Sequence, residues 1–402
     1  MKKRRPLQVC HVAYSFYDSD NRVMRYAETL ASRGDRVDVI ALRGPGQASR
    51  EDVRGVHVCR VQRRVAHERN RLQYLLKIGL FLSKCFLLLT IRGRGRSYDV
   101  VHVHNVPDFL VFAALIPKLR GTKIILDIHD VLPELYAGKF GAEQRSLLFR
   151  LALRLESWSC AFAHRVIVAN HIWCDRVAGR SAAGWKCTPI INYPDLQLFR
   201  PLSSNDAGQK AAFVFLYPGS LNRHQGLDVA IAAFGEVCRE MPNAEFHIYG
   251  DGPARDELER LAKKLALEGR VKFMNRVSLH DVPRLMALAN VGVEPKSAQG
   301  FGNEAMSTKI LEFMACGVPV VVSNTSIHAH YFPKELVSFF AADDPSDLAR
   351  KMLLAYRSSG SEPAATEAAR SFAVERSWQR HADEYLGLVD GLLPPATVAA
   401  SP

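Results

Sequence analysis

Little in this 402-residue chain points to a metal, a disulfide framework or a nucleotide-hydrolysing loop. None of its eight cysteines (Cys10, Cys59, Cys85, Cys160, Cys174, Cys187, Cys238 and Cys316) stands in a C-x-x-C pair, and most have apolar neighbours. That predicts reduced, buried thiols rather than disulfides or a zinc site. There is no Walker loop, no G-x-G-x-x-G after an apolar strand and no Ser-His-Asp order. The basic start MKKRRP is followed by LQVCHVAY and then by Asp18 and Asp20, too short an apolar stretch for a secretion signal. Acidic residues are nearly missing from 54–96. Eleven Lys/Arg stand there against Glu68 alone, so this segment carries +10 of the net +12. Charge so localised predicts a local anionic partner. Aromatic–basic interleaving is absent and an apolar run interrupts the basic one, which argues against nucleic acid as that partner.

What is present is alternation. The length allows two or three domains, and 48% hydrophobic residues leave ample material for cores. Apolar strands at 7–13, 37–42, 56–61, 99–104, 123–128, 165–169 and 188–191 are separated by helical patterns at 23–33, 109–119 and 145–162, with 131–141 read as a loop. The polar stretch 202–209 reads as a domain boundary. A second set follows, with strands at 213–217, 245–249, 271–274, 291–294 and 318–322 and helices between them. Two α/β domains with parallel sheets and strands ending in polar loops predict binding edges that face each other across a cleft. The expected domains are 1–201, 202–374, a C-terminal helix at 375–392 packing back towards the N-terminal domain, and a disordered tail at 393–402.

One segment, LQYLLKIGLFLSKCFLLLTI at 72–91, is nearly long enough to span a bilayer. Gln73, Lys77 and Lys84 fall close together on a helical wheel, and basic residues including Arg92 and Arg94 flank the run. Within the basic region of about 60–96, that pattern predicts a helix lying in an anionic membrane interface, with Lys77, Lys84, Arg92 and Arg94 as contacts. A core helix of the first domain is the competing reading.

The chemistry-bearing residues cluster at predicted strand ends. His129 and Asp130 end a strand, where open α/β sheets bind ligands, and the histidine suits a hydrogen bond to a sugar hydroxyl or a phosphate. Asp20, Asn21 and Arg22 crowd the first loop and, with Asp130, are the candidates on the acceptor side. Gly219 and Gly226 bracket SLNRHQ, in which Arg223 is a plausible anion contact, and Gly250 opens a tight Gly-Asp-Gly-Pro turn. Thr308 and Lys309 follow Ser307 at a helix start, where free N–H groups, the positive dipole end, hydroxyls and an ammonium suit a phosphate. Glu304 and Glu312 sit among these elements, and acids beside a phosphate site suit hydroxyl groups. Together they predict a ligand carrying both, such as a nucleotide sugar. His102 and His104 share a strand face, but no carboxylate or cysteine completes a ligand set by spacing, so no metal is expected.

These features in this order resemble the retaining glycosyltransferases of family 4, with the GT-B fold of two Rossmann-like α/β domains. The resemblance rests on Arg33-Gly34, YDVVHVHN at 98–105, LDIHD at 126–130, INYPDLQLFRP at 191–201, YPGSLNRHQGLD at 217–228, HIYGDGP at 247–253, and E-x7-E from Glu304 to Glu312 before MACGVPVV. It implies transfer of a sugar from a nucleotide diphosphate donor with retention, without a metal or other cofactor. Glu304 would contact the donor sugar, Glu312 would hold the ribose hydroxyls, Thr308 and Lys309 would lie near the diphosphate, and His129 would be the active-site histidine. Charge stabilisation of the leaving diphosphate and domain closure would drive the reaction.

The family's Gly-Arg and Lys-Gly pairs read here as Gly219-Ser220 and Gln225-Gly226, with Arg223 the expected replacement for the lost charge. The first loop, FYDSDNR, lacks the usual glycine pair. With the basic apolar segment, the expected acceptor is a polyprenyl-diphosphate-linked glycan, met at the inner face of the cytoplasmic membrane, in bacterial surface polysaccharide assembly such as exopolysaccharide. The alternatives are a nucleotide-sugar epimerase of the same fold and a catalytically weakened protein that binds membrane or assembly partners.

Overall fold

The structure is a computed structural model and describes residues 5–64, 71–92, 97–140, 146–202, 212–358 and 363–394. Arg94, nearly all of the 202–209 stretch and 395–402 lie outside the described residues, as does the side chain of Arg92. The chain divides into two compact units. The first is Met1–Asn192 with Ala382–Pro402, and the second is Tyr193–His381. The polar stretch at 202–209 therefore lies past the division, within the second unit.

The first half runs through β1 (Gln8–Ala13), α1 (Asn21–Ser32), β2 (Arg36–Arg43), β3 (Arg50–Val53), β4 (Val56–Arg63), α2 (Arg71–Arg92) and β5 (Val100–His104). It continues with α3 (Leu115–Leu119), β6 (Lys123–Ile128), α4 (Leu132–Phe140), α5 (Leu147–Phe162), β7 (Arg165–Val168), α6 (His171–Arg180) and β8 (Cys187–Pro189). The second half has β9 (Phe213–Pro218), α7 (Leu227–Glu240), β10 (Ala244–Tyr249), α8 (Arg255–Lys264), β11 (Val271–Met274), α9 (Val282–Leu288) and β12 (Val291–Glu294). After it come α10 (Thr308–Ala315), β13 (Val320–Ser323), α11 (Ser326–Tyr331), β14 (Ser338–Phe340), α12 (Pro345–Arg357), α13 (Pro363–Glu375) and α14 (Trp378–Asp390).

The first sheet has the order β3-β4-β2-β1-β5-β6-β7-β8 and the second β11-β10-β9-β12-β13-β14. Both wind outwards from their first strand in two directions. The topological switch points lie between β1 and β5 and between β9 and β12, and ligands of doubly wound sheets bind at the strand carboxyl ends there. The expectation of parallel strands holds except at one edge, where β3 pairs antiparallel with β4. A hairpin on the outer edge is a common addition to a parallel sheet. The stretch 131–141 is not a loop, because Leu132–Phe140 forms α4. The strands β3 and β14 and the helices α6, α11 and α13 are too short or too weakly patterned to stand out in the sequence.

Burial explains the near-continuous apolar strands. Val9, Val12, Val100, Val101, Val103, Ile124, Ile125 and Leu126 are fully buried in the first unit, as expected of strands covered on both faces. In the second unit Phe215, Tyr217, Phe234, Phe246, Ile231 and Val291 join one core.

The helix α2 answers both of its sequence readings. Its 19-residue stretch Gln73–Ile91 is long and apolar enough to cross a membrane by length and composition. Yet Ile78, Phe81, Cys85 and Leu89, spaced three and four apart, are buried in the first unit, with Phe81 edge-on to Tyr14. Leu75, Leu76, Leu80, Leu87 and Ile91 instead face solvent, Leu76 at 65% exposure. Both lysines are half-buried, unlike those leucines. The ammonium of half-buried Lys84 donates to the carbonyl of Val61 on β4 at 3.1 Å, and the carbonyl of half-buried Lys77 accepts from Gln62 at 2.9 Å. The helical wheel grouped them, and of the two the side chain of Lys84 reaches back to β4.

Phe81→Ala is expected to cost about 3–5 kcal/mol in denaturant melts, whereas Leu76→Ser should stay within about 0.5 kcal/mol of the parent. The reverse ranking would mean that α2 buries its other face.

Candidate active site

At the edge of the first sheet, Asp127 is the centre. It is penultimate in β6, fully buried, and faces four donors. The guanidinium of Arg22, on the first turn of α1, donates from Nε to Oδ2 and from Nη2 to Oδ1, both at 2.8 Å. His104 Nδ1, at the end of β5, lies 3.0 Å from Oδ2, and His129 Nε2 lies 2.9 Å from the same oxygen. Arg22 Nη1 donates also to the Ile190 carbonyl at 2.8 Å. The network continues inward, because His11 Nδ1 is 3.0 Å from His104 Nε2, and His102 Nδ1 is 3.0 Å from the hydroxyl of Tyr385 on α14.

Charge decides the protonation of this cluster. Burial would push the Asp127 carboxyl up, but Arg22 first and then His129 hold it well below the usual carboxylate range. Burial pulls the His129 imidazole down, yet the Asp127 charge and hydrogen bond carry it above its ordinary value. For His11 and His102 burial wins, reinforced by His104, and both are held well below their ordinary value as neutral rings.

The expected site residues of this unit part company here. His129 keeps its side chain 19% exposed, and Asp20, Asn21 and Asp130 are half-buried as well. Arg22 is not a surface contact but the buried counterion of Asp127. The Asp20 carboxylate caps α1, accepting from the Val23 N–H at 3.2 Å. Asn21 begins α1, and Asp130 follows His129 with its carbonyl bound to the Asn105 amide at 2.7 Å. Asn105 is a residue the sequence did not mark. Its Oδ1 accepts the His129 N–H at 2.7 Å and its Nδ2 donates to Asp108 at 2.7 Å, so one amide fixes the turn that carries the histidine.

Two groups, His11/His102/His104 and His104/Asp127/His129, bring three metal-ligand-type atoms within 4.8 Å of one another. The carboxylate that spacing alone could not supply is thus present in space. Its two oxygens are already occupied by the Arg22 fork, so the group reads as a hydrogen-bonded network.

At the edge of the second sheet, the loops after β9, β10 and β12 pack backbone against backbone. Gly226 has φ +67, and a Cβ there would lie 2.0 Å from the Pro295 carbonyl oxygen. A Cβ at Gly250 would lie 1.8 Å from the carbonyl oxygen of Gly219. Only glycine permits this approach. The Ser297 N–H donates to the His224 carbonyl at 3.1 Å, joining the loop after β12 to the one after β9.

Beneath these loops Glu294 ends β12, fully buried, with the Lys309 ammonium 3.1 Å away and over the Tyr217 ring at 4.9 Å. The Tyr217 hydroxyl donates to the Ser220 carbonyl at 3.0 Å. Lys296, buried, donates to the Ala305 carbonyl at 2.7 Å and so ties down the loop that carries Glu304. Burial opposes ionisation of Glu294, but Lys309 and Lys296 bring its carboxyl below its ordinary value. At the N-terminus of α10 the Ser307 hydroxyl is buried with no hydrogen-bond partner among the described residues, as is Gln225 Oε1. Thr308 begins α10 and Glu312 is buried about one turn on. Glu304 follows the 3-10 turn Gly300–Asn303.

Arg223, the expected replacement cation, is 84% exposed and donates to Glu257 on α8 at 2.9 Å. The cations gathered beneath the loops are Lys296 and Lys309, from the other side. Glu294 and Lys296 escaped the sequence reading, because an isolated acid and lysine at a strand end carry no periodic signal.

His328 on α11 gives a pH test. Its Nδ1–H donates to the Ser323 carbonyl at 2.9 Å, and burial, then the Lys296 charge, pushes the imidazole down to about 4. The unfolded ring titrates near 6.5. The unfolded chain therefore takes up this proton first on acidification, and the ring's contribution to stability, complete above about pH 6.5, is lost as pH falls towards 4. Replacing the ring by an amide, His328→Asn, should make the stability lost between about pH 7 and pH 4.5 smaller by on the order of 2 kcal/mol. Urea melts at both pH values check this, and identical losses would contradict it.

Comparison with known proteins bears on both units. The description "Glycosyl transferase 4-like domain" matches residues 19–192, and "Glycosyl transferases group 1" matches 203–372. A phosphatidylinositol N-acetylglucosaminyltransferase gpi3 subunit of Schizosaccharomyces pombe is 23% identical over 255 residues, 63% of this chain and 52% of that protein. The chain thus spans about half the length of that curated relative. Among solved structures, a sucrose-phosphate synthase from Thermosynechococcus elongatus superposes with a TM-score of 0.77 at 20% identity, over 96% of this chain and 99% of that one. The Anabaena protein HepE, solved with UDP-glucose, has a TM-score of 0.72 at 17% identity over 96% and 100%. Matched in both halves by these descriptions and by structures of the same two-sheet architecture, the chain belongs to the group 1 glycosyltransferases and has the GT-B fold.

Proposed function

We propose that the protein is a retaining glycosyltransferase that moves a sugar from a nucleotide diphosphate sugar to a lipid-linked glycan in bacterial surface polysaccharide assembly. The observation that carries the donor half is the α10 edge of the second unit. There the helix N-terminus, the buried Ser307 hydroxyl and the Lys309 ammonium converge beneath glycine-lined loops. A leaving diphosphate would be stabilised there by a fixed dipole and a charge-assisted hydrogen bond, the latter worth about 1.5–3 kcal/mol, in place of a metal or other cofactor. Glu312 and Glu304 would take the ribose and sugar hydroxyls, Gly219 and Gly250 would let backbone approach the nucleotide, and His129 would meet the sugar. A neutral Gln225, bonded to His224 at 3.2 Å, favours the second reading of a weakened transferase that chiefly binds. Slow hydrolysis of a bound donor separates the two.

The acceptor half rests on the surface of the first unit. The helices α2, α3 and α5 all pack against the 3-10 segment Asp108–Ala114, so they are neighbours in one layer. Arg120 ties α3 to α2 through the Thr90 carbonyl at 3.2 Å. Besides the outer face of α2, this layer exposes Leu119, Leu147, Leu151 and Trp158. Arg150 and Arg154 lie exposed among them, and the acid of α5, Glu156, is fully buried. Apolar, tryptophan-bearing and basic surface with no exposed acid among the described residues of these helices suits the interface of an anionic membrane. We place the enzyme on the inner face of the cytoplasmic membrane, beside a polyprenyl-diphosphate-linked acceptor.

A thermal-shift screen of nucleotide sugars should find one that raises Tm. Lys309→Gln should abolish most of that shift and Arg223→Ala should leave it unchanged. No shift with any nucleotide sugar would sink the donor reading. In flotation with anionic liposomes, Leu76/Leu80/Leu87→Ser should reduce binding several-fold, with the folded fraction checked by circular dichroism. Equal flotation of parent and variant would remove the membrane reading.

A further inference from the structure

We propose that Asp127 is the positioning residue of His129. Clamped through both oxygens by Arg22, it receives the proton on His129 Nε2 and leaves Nδ1 as the nitrogen offered at the site. This rests on the catalytic reading of His129 and adds to it which ring nitrogen acts and what holds it.

The argument is one of donors and acceptors. His104 Nδ1, His129 Nε2 and Asp127 Oδ2 form a triangle with sides of 3.0, 2.9 and 3.0 Å. The corner occupied by a carboxylate oxygen can only accept. If His129 Nε2 were bare, its lone pair would face that anion at contact distance in a nearly dry site. With protons on both nitrogens, each hydrogen bond ends on the carboxylate. The rest of the cluster agrees. A protonated His104 Nδ1 leaves its Nε2 as acceptor, which suits donation from His11 Nδ1 at 3.0 Å. His11 then keeps a bare Nε2, the atom found buried without a partner. Among the described residues, the hydrogen bonds of the His129 ring are all made through Nε2.

The carboxylate is held, through Arg22, by the stretch where the chain leaves the first unit, and a neutral histidine tied to the returning stretch packs close to it. On one side Arg22 Nη1 donates to the Ile190 carbonyl and, at 3.1 Å, to Asn192 Oδ1, and Asn192 is where the chain leaves the first unit. On the other, His102 Nε2 lies 3.9 Å from Asp127 Oδ2 while its Nδ1 meets the Tyr385 hydroxyl. Tyr385 follows soon after Ala382, where the chain re-enters that unit.

The charged and titratable groups facing His129 are Asp127 from β6, His104 from β5, and Arg22 and Asp20 from the start of α1. The two acids favour the protonated ring and Arg22 opposes it. Removing the Asp127 charge should therefore lower the pH at which His129 titrates.

Two experiments test the assignment. In the wild-type protein, labelled with 15N-histidine, long-range proton–nitrogen spectra read the tautomer of each ring. The His129 signal is identified by its loss in His129→Gln. A neutral His129 protonated on Nε2 is expected, and one protonated on Nδ1 overturns the proposal without any variant of Asp127 being folded. In Asp127→Asn, checked by its melting curve, the acid limb of kcat/KM should move to lower pH. There kcat should fall about tenfold to a hundredfold with donor KM changed far less. A folded Asp127→Asn whose pH profile superimposes on the parent's overturns the proposal too. A fully active His129→Ala would remove the catalytic reading of His129, and the tautomer measurement would still decide what Asp127 does to the ring.

Discussion

The first unit depends on the Arg22–Asp127 ion pair. A carboxylate with no exposure, near the middle of a sheet, costs several kcal/mol to desolvate and is tolerable only if its oxygens are fully engaged. Here they are, with two bonds from the guanidinium and one from each of two histidines. The consequences run outward. The pair fixes the start of α1 against the end of β6, and through Ile190 it fixes the segment that follows β8. It keeps Asp127 ionised, and the ionised acid in turn holds His129 above its ordinary titration point. A neutral residue at 127 would leave Arg22 buried without its partner, the arrangement that buried ion pairs make most costly.

The second unit solves a similar problem with different residues. Glu294, fully buried at the end of β12, stands beside the switch point as Asp127 stands near the other, and it too is kept ionised by its neighbours. Its partners are ammonium groups, one over an aromatic ring and one bound to a carbonyl. Two lysines against one glutamate leave this cluster with a positive excess, and half-buried His224 and buried His328 stay neutral for that reason as well as for burial. Such a cluster suits an anion. The loops above it gain their closeness from glycines that no other residue could replace without displacing backbone.

The helix α2 shows how one segment can satisfy two solvents. One stripe of it completes the core against Tyr14 and β4, while the opposite stripe remains apolar and uncovered. Neither length nor hydropathy distinguishes a core helix, a spanning helix and an interfacial one, since all three use the same residues. The choice depends on which face packs. Lys84 does not mark the outer face, since it reaches back to the strand it packs beside.

Much of the architecture was legible in the sequence. Alternating β-branched strands and helices determined two parallel α/β sheets, and the order of motifs from YDVVHVHN to MACGVPVV determined the family. Spacing also placed Thr308, Lys309 and Glu312 on one helix, because neighbours along a helix are neighbours in space, whereas the position of Glu304 depended on the fold of the loop before it. Only the tertiary structure decided who partners whom across elements. Arg22 and Asp127 are 105 residues apart and His102 and Tyr385 are 283 apart, so no local period announces them. Tertiary packing likewise turned Asp20 into a helix cap, spent Arg223 on Glu257 and brought Glu294 and Lys309 together. The physical reason is that helix and strand periodicity report burial of apolar surface, whereas a charge is placed by its counter-charge, and that partner is chosen only when the chain has folded.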